Sequence, residues 1–318
     1  IPQPSKLKTR VRFPSFPPIF FEGGLHHRRL PFLRTVVAMT DSNAVPTIEF
    51  NDGRTIPQLG FGVFKVDPEK TEELVAEALK VGYRHIDTAA IYGNEEGVGR
   101  AIANSGIPRE ELFITTKLWN DRQTDAAAAL DESLEKLGLD YVDLYLIHWP
   151  CPENDTYLEA WKQLIELKKA GKAKSIGVSN FELEHLEKLE TNTEETPVVN
   201  QVELHPYLQR WRELDAFRAH KVQIEAWGPL GQGKTDLFEL PEITEPAEKY
   251  GVSPAQVIIR WHLQNGVIVF PKSENPERIA QNFDVFGFEL DEAEMAAITD
   301  LDLGEEGRGG SHPKEMNY

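Results

Sequence analysis

Four side chains capable of proton transfer or hydrogen bonding stand at nearly equal intervals along this sequence. Asp87, Lys117, His148 and Ser179 follow one another at steps of about 30 residues, and each closes a short, largely apolar run. Taken singly, the aspartate could cap a helix, the lysine could end a solvated strand and the histidine could be a satisfied core residue. Because they recur at matching positions of successive units, we interpret them as side chains that converge on one axis.

A repeating strand–helix unit must position these residues. Beyond position 45, apolar runs such as Val142–Ile147 alternate with amphipathic segments, and they lack the polar face of a half-exposed strand. Eight such units predict an α/β fold, a (β/α)8 TIM barrel, in which function gathers at the carboxyl ends of the strands. The predicted strands are residues 60–64, 85–87, 112–117, 142–148, 175–179, 198–202, 223–227 and 267–271.

The start of this repeat separates the barrel from an open doubly wound sheet. The open sheet normally has a glycine-rich turn after its first strand, but Gly60-Phe61-Gly62 continues into Val63-Phe64-Lys65 without a third glycine at the required place. We therefore predict the barrel. We also predict an N-terminal β-hairpin from segments 47–50 and 55–59, which flank the turn-forming Asn51-Asp52-Gly53.

Composition narrows the classes of partner. The 318 residues carry a net charge of -18, with 52 acidic against 34 basic side chains, so we expect no binding to nucleic acid. The single cysteine, Cys151, allows no intrachain disulfide and favours a cytoplasmic location. We expect neither a membrane span, because no apolar run is long enough, nor a metal site, because no His, Cys and carboxylate residues have ligand spacing.

The first 38 residues differ from the rest of the chain. They contain seven basic residues, six prolines and a single acid, Glu22, and show no useful period. We predict that residues 1–38 are disordered or an upstream extension, and that Met39 opens a barrel domain spanning residues 39–318. A targeting peptide is the alternative, although the segment is poor in serine and lacks a clear amphipathic helix.

Longer motifs surround the spaced residues. They read GYRHIDTAAIYGNE at 82–95, ITTKLW at 114–119, LIHWP at 146–150, IGVSNF at 176–181, NQVELHP at 200–206 and PKS at 271–273. With these motifs, residues 45–318 resemble the aldo-keto reductase superfamily. Segments 62–66 and 226–233, the second reading AWGPLGQG, resemble most closely the bacterial 2,5-diketo-D-gluconate reductases.

The resemblance implies NADPH-dependent reduction of aldehydes and ketones to alcohols, an activity of the alcohol dehydrogenase (NADP+) type. The implied substrates are 2,5-diketo-D-gluconate, reduced to 2-keto-L-gulonate, or small dicarbonyls such as methylglyoxal. A monomer that acts on a small-molecule carbonyl is the implied state. The substrate itself is not specified by the sequence.

Four residues are implied as the catalytic set: Asp87, Tyr92, Lys117 and His148. A free tyrosine has a pKa of about 10, and a nearby ammonium lowers it by stabilising the phenolate. We therefore expect Lys117 to assist Tyr92 as general acid, with Asp87 holding the lysine charged. A neutral His148 would orient the carbonyl oxygen.

The resemblance also implies the residues that bind NADPH. Ser179, Asn180 and Gln201 would hydrogen-bond the nicotinamide carboxamide, and Trp227 would stack on the ring. A cationic cluster further along the chain suits a 2′-phosphate, which favours NADPH over NADH. This cluster and the remaining predicted cofactor positions are Lys272, Ser273, Arg278, Gly228, Leu230, Gln232, Gln281 and Asn282.

An aromatic substrate pocket is expected beside the catalytic set. The predicted substrate-binding residues are Phe64, Tyr92, Trp119, His148 and Trp149. Ile91 and the tail of residues 307–318 should complete the wall, while Asn120 and His312 should add polarity.

Two other functions remain open at this stage. Lys117 on a barrel strand could form a Schiff base, as in barrel aldolases, provided that its amine is neutral. The chain could also bind NADPH without turning it over. The four catalytic residue types favour the reductase over both alternatives.

Overall fold

The computed structural model describes residues 45–318, apart from Lys234 and Tyr318. The prediction for residues 1–38 lies outside the described residues. Within them, an antiparallel hairpin precedes a sheet of eight parallel strands, as predicted. The hairpin strands are β1 (Thr47–Glu49) and β2 (Thr55–Pro57). The sheet strands are β3 (Phe61–Gly62), β4 (His85–Asp87), β5 (Phe113–Leu118), β6 (Val142–Ile147), β7 (Ala173–Ser179), β8 (Val199–Glu203), β9 (Gln223–Trp227) and β10 (Ile268–Val269).

The sheet closes into a barrel. Strands β3 to β10 are hydrogen-bonded in sequence order, each parallel to the next. The two ends meet because Leu59, just before β3, forms a parallel bridge with Val269 of β10. The Gly60 amide donates to the Val269 carbonyl at 2.8 Å, and the Val269 amide donates to the Gln58 carbonyl at 3.0 Å. The (β/α)8 prediction is confirmed.

Helices cover the outside of the barrel. The fourth helix illustrates the pattern, since Tyr157, Ala160, Trp161, Leu164 and Leu167 recur at helical spacing and are all buried. None of the described helices is long and apolar enough to cross a membrane. The helices are α1 (Pro68–Val81), α2 (Glu95–Asn104), α3 (Ala126–Leu137), α4 (Tyr157–Lys169), α5 (Leu183–Asn192), α6 (Trp211–Ala219), α7 (Pro241–Tyr250), α8 (Pro254–Gln264), α9 (Pro276–Phe283) and α10 (Glu292–Thr299).

The hairpin packs against the amino-terminal end of the barrel. Its Phe50 and Ile56 are buried in a cluster with Phe113 of β5 and with aliphatic residues of β6, β8 and β10. Its turn is tied down by a hydrogen bond from Ser175 Oγ to Asp52 Oδ2 at 2.8 Å. Because this end of the barrel is plugged, access to the interior is from the carboxyl ends of the strands.

The first and last barrel strands are shorter than predicted. Strand β3 keeps two of the five predicted residues and β10 keeps two of five. The last residue of the predicted strand 267–271 is Pro271, which has no amide hydrogen to donate within a sheet. The two strands meet closely at the seam, since a Cβ on Gly62 would lie 2.7 Å from the Phe270 carbonyl oxygen. Glycine is therefore required there by contact rather than by backbone angle.

Candidate active site

A cavity of about 1340 Å³ opens at the carboxyl ends of the strands. Asp87 and Trp227, the last residues of β4 and β9, and Gln201, in the middle of β8, form part of its lining. The segments that follow each of the strands β3 to β7, β9 and β10 contribute further lining residues, and so does the carboxyl-terminal tail. The strand ends therefore bring together residues that are far apart in the sequence, as the spacing predicted.

A buried ion pair lies at the floor of this cavity. Lys117 Nζ is 2.7 Å from Asp87 Oδ1 and 2.8 Å from the Thr88 carbonyl oxygen. Lys117 is fully buried, and Asp87 is nearly so. Burial by itself disfavours the ammonium, but the effects that oppose it, of which the charge of Asp87 is the largest, leave the pKa of Lys117 raised. The lysine is thus held as a cation in the barrel interior.

Tyr92 lies directly over this lysine. It ends a short 3-10 helix, Ala90–Tyr92, after β4, and its ring centre is 5.1 Å from Lys117 Nζ. Burial raises the pKa of Tyr92 above its ordinary value, while the charge of Lys117 and a hydrogen bond to it act in the opposite direction. The lowering by Lys117 was predicted, but burial is the larger effect. The phenol therefore remains protonated at neutral pH.

His148 completes the group. Its ring packs edge-on against Tyr92, with ring centres 5.9 Å apart, and against Trp119 at 5.1 Å. Burial, and then the charge of Lys117, hold the pKa of His148 well below its usual range. The imidazole is therefore neutral, as predicted, and offers one N–H donor and one acceptor nitrogen. All four predicted catalytic side chains meet at one place.

The residues predicted to hold a nicotinamide form one hydrogen-bonded group. Trp227 Nε1 donates to Asn180 Oδ1 at 2.8 Å, and Asn180 Nδ2 donates to the His148 carbonyl at 3.0 Å and to Ser179 Oγ at 3.1 Å. Ser179 Oγ in turn donates to the Gln201 carbonyl at 2.7 Å. Asn180, Gln201 and Trp227 line the cavity, whereas Ser179 is buried behind them.

A cationic region lies in the part of the cavity wall that follows β10. Lys272, Ser273, Arg278 and Asn282, all predicted, line it, together with Glu274, which sequence reasoning missed. Lys272 Nζ is 2.6 Å from a Glu274 carboxylate oxygen. The only signal for this pairing was an acidic residue two positions after a lysine, which is common on solvated loops.

Residues 58–303 match the model of the aldo/keto reductase family. The chain belongs to the aldo/keto reductase family. The reductase fold and the enzyme class predicted from the motifs are therefore confirmed.

Individual relatives cover most of this aldo/keto reductase. It is 54% identical over 275 residues to the methylglyoxal reductase DkgA of Escherichia coli strain K12, which covers 86% of this chain and 99% of that protein. A solved structure of a Gox0644 variant in complex with NADPH superposes with a TM-score of 0.82 at 49% identity, covering 86% of this chain and all of that one. An aldo/keto reductase from Brucella melitensis gives a TM-score of 0.78 at 52% identity, covering 81% and 100%.

The pocket wall of the reductase is more apolar than the sequence predicted. Phe64, Ile91, Trp119 and Trp149 line the cavity as expected, and so does Met316 of the predicted tail. One lining residue, Phe238, was missed. Phe238 follows the glycine-rich loop after β9, and this position was its only sequence signal.

The two residues expected to add polarity do not line the cavity. Asn120 is buried, and His312 Nε2 lies 3.9 Å from carboxylate oxygens of Glu182 and Glu305 instead. Gln281, one of the predicted cofactor positions, is exposed and lies outside the cavity lining. Its neighbour Asn282 is buried and lines the cavity, because adjacent residues of α9 point in different directions.

A buried carboxylate holds the tail of the reductase over the cavity. Glu203, at the end of β8, accepts hydrogen bonds from the Gly309 amide at 2.9 Å and from the Gly310 amide at 3.0 Å. The tail packs so closely that a Cβ on Gly310 would lie 2.4 Å from the Trp227 ring. Glu203 therefore fixes the part of the cavity wall nearest to Trp227.

We expect Glu203→Gln to loosen this wall. Hydrogen bonds to a charged acceptor contribute about 1.5–3 kcal/mol, so weakening them should raise the KM for the carbonyl substrate several-fold and speed proteolysis of the tail. Lys314→Gln is the matched control on the same tail, because it removes only the ion pairs of an exposed lysine with Glu182 and Glu184 and should change neither quantity. Equal behaviour of the two variants would contradict the role of Glu203.

Proposed function

We propose that this protein reduces small aldehydes and ketones, in particular 1,2-dicarbonyls such as methylglyoxal, to alcohols with NADPH. The observation that carries the proposal is the convergence of Tyr92, His148 and the buried Asp87–Lys117 pair at the cavity floor. The relatives support the substrate class, since E. coli DkgA is named a methylglyoxal reductase. We therefore propose a small-molecule carbonyl compound as the partner of this enzyme.

The residues present fit NADPH. An indole face and two amide side chains, those of Trp227, Asn180 and Gln201, suit a nicotinamide carboxamide, and Lys272 with Arg278 suits a phosphate. The solved relative in complex with NADPH supports the same cofactor. When bound, NADPH supplies the hydride for the carbonyl carbon.

Tyr92 is the proton donor in this proposal. Its raised pKa keeps the hydroxyl protonated, so it has a proton to give to the carbonyl oxygen as negative charge develops there. Lys117 stabilises the phenolate left behind, at a distance where its charge is not screened by water. Asp87 holds the lysine in place and is itself shielded from solvent.

His148 orients the substrate. Because its imidazole is neutral, it donates a hydrogen bond to the carbonyl oxygen without competing with Tyr92 for the proton. The aromatic rings of Phe64, Trp119 and Trp149 exclude water from one side of the substrate. This mainly aromatic wall favours a small dicarbonyl over the larger 2,5-diketo-D-gluconate, which has several hydroxyl groups and a carboxylate.

The charge of Lys117 argues against the Schiff-base alternative. A lyase would need a neutral amine, but Asp87 and Tyr92 raise the pKa of Lys117, and its Nζ already donates to Asp87 and to Thr88. A protein that binds NADPH without turnover would have no use for this buried pair.

The test measures the rate at which the absorbance of NADPH falls with each substrate in a panel of carbonyl compounds. We expect turnover of methylglyoxal and of small aldehydes at higher kcat/KM than of 2,5-diketo-D-gluconate. Binding of NADPH without turnover of any carbonyl in the panel would overturn the proposed reaction. A preference for 2,5-diketo-D-gluconate would overturn only the substrate class.

Replacement of Arg278 by alanine tests the cofactor end of the cavity. If its guanidinium holds the 2′-phosphate, the variant should bind NADPH at least tenfold more weakly, because a charged hydrogen bond contributes about 1.5–3 kcal/mol. The Kd for NADH should change little. Glu274→Gln is a control with the opposite expected effect. It removes the negative charge that pairs with Lys272, so the Kd for NADPH should fall. Equal losses of NADPH and NADH in the arginine variant would place the phosphate elsewhere.

A further inference from the structure

A second buried carboxyl group, Glu225, lies beside the catalytic floor and takes no part in the proton transfer described above. It is on β9, in register with Gln201 of β8, and has no exposed surface. Its Oε2 accepts a hydrogen bond from Gln201 Nε2 at 2.8 Å. Burying a carboxyl group inside a barrel costs free energy unless the group is hydrogen-bonded. The role of Glu225 is therefore to be sought in its contact with Gln201.

Gln201 Nε2 is shared between two carboxyl groups. Besides the bond to Glu225, it donates to Asp87 Oδ2 at 2.9 Å. An amide nitrogen has two hydrogens, and both are thus committed to oxygens on the interior side. This favours the orientation in which the nitrogen faces the interior, because a turned amide would lose both bonds and place its oxygen against the carboxylate of Asp87, which can only accept.

The amide oxygen of Gln201 is then the atom left for a ligand. Gln201 lines the cavity, and with its nitrogen held by Asp87 and Glu225 it offers an acceptor there. Asp87 cannot fix this orientation alone, since its other oxygen is bound to Lys117 and a single bond leaves the amide free to rotate. The second acceptor is Glu225.

We propose that Glu225 is a positioning residue, which turns the Gln201 amide so that its oxygen accepts a hydrogen bond from the carboxamide N–H of the nicotinamide. The proposal rests on the contact between Gln201 and the nicotinamide proposed above. Glu225 does not touch the cofactor or the substrate.

The protonation of Glu225 is consistent with this role. Burial, and then the charge of Asp87, raise the pKa of Glu225 to about 8. The group is therefore mainly a neutral acid at neutral pH and receives the Gln201 bond without placing a second negative charge beside Lys117. A neutral amide of the same shape should serve as well, which provides a conservative replacement.

The experiment compares two ligands. One is NADPH, and the other is 2′-phospho-ADP-ribose, which has the same phosphates and adenosine but no nicotinamide. Glu225→Leu should raise the Kd for NADPH about tenfold, the size expected for loss of an ordered hydrogen bond. It should leave the Kd for 2′-phospho-ADP-ribose within about twofold of the normal value. Glu225→Gln should restore NADPH to within about twofold of the unaltered protein. Binding is followed by quenching of tryptophan fluorescence, and folding by circular dichroism.

Three results would overturn the proposal. The leucine variant could bind NADPH normally, it could lose both ligands equally, as a general packing defect would cause, or the glutamine variant could lose NADPH selectively. The glutamine result stands by itself if the leucine variant does not fold. A Gln201→Leu variant distinguishes failure of the proposed nicotinamide contact from failure of the role of Glu225. If Gln201→Leu binds NADPH normally, Gln201 does not contact the carboxamide. If Gln201→Leu loses affinity for NADPH but Glu225→Leu does not, the contact stands and only the role of Glu225 is wrong.

Discussion

Tyr92→Phe is expected to lower kcat for carbonyl reduction by about 10²- to 10⁴-fold, the usual contribution of a positioned general acid. The change removes one oxygen and keeps the ring, which packs between Phe64 and His148 with ring centres 5.0 and 5.9 Å away. The cavity shape and the NADPH Kd should therefore be nearly unaltered. Single-turnover oxidation of bound NADPH, measured with methylglyoxal in excess, checks the prediction.

The pH profile gives this experiment a second readout. The acid must be protonated to act, so reduction should persist through neutral pH and decline as pH rises through the pKa of Tyr92, which burial holds above the ordinary tyrosine value. The small residual activity of the phenylalanine variant should lack this decline. A variant that keeps more than about a tenth of the normal rate would remove Tyr92 as the acid.

Lys117→Met is the second change with a large expected effect, and it should impair both stability and turnover. It leaves Asp87 buried without its cation, which costs about 3–5 kcal/mol when a buried pair is broken. Turnover should fall by about two orders of magnitude, because the phenolate of Tyr92 loses its stabilising charge. Urea denaturation measures the first effect, and steady-state kinetics the second.

A double variant separates the two effects of Lys117. Adding Asp87→Asn to Lys117→Met removes the uncompensated charge, so much of the free energy of unfolding should return. The catalytic rate should stay low, since the ammonium is still missing. Recovery of turnover in the double variant would mean that Lys117 serves only to neutralise Asp87.

Much of the fold could be predicted because its signals are local. Alternation of apolar runs with helical segments defined the units, and a missing third glycine after Gly60-Phe61-Gly62 excluded the open sheet. The ends of the strands were less predictable. Strands β3 and β10 stop early, and the close approach of Gly62 to Phe270 at their seam involves residues about 200 positions apart.

The candidate site divides in the same way. Asp87, Lys117 and His148 were predictable because each lies within one residue of the end of a strand, and parallel strands of a barrel present their carboxyl ends at one face. Tyr92 and the nicotinamide residues depended on the resemblance of longer motifs. Asn120 and His312 were wrongly expected in the cavity wall, because the direction of a loop side chain is set by its partners rather than by its position in sequence.

By itself, the sequence determined the barrel, the family and the residue types at the catalytic floor. It could not assign the buried partners. The bonds from Gln201 to Glu225 and to Asp87 join residues 24 and 114 positions apart, and Glu203 holds a tail 106 positions away. Such pairs depend on the register between strands and on which side chains closure brings within hydrogen-bond distance. Only the tertiary structure decides that, because hydrogen bonds form over about 3 Å and no sequence period specifies distances that short.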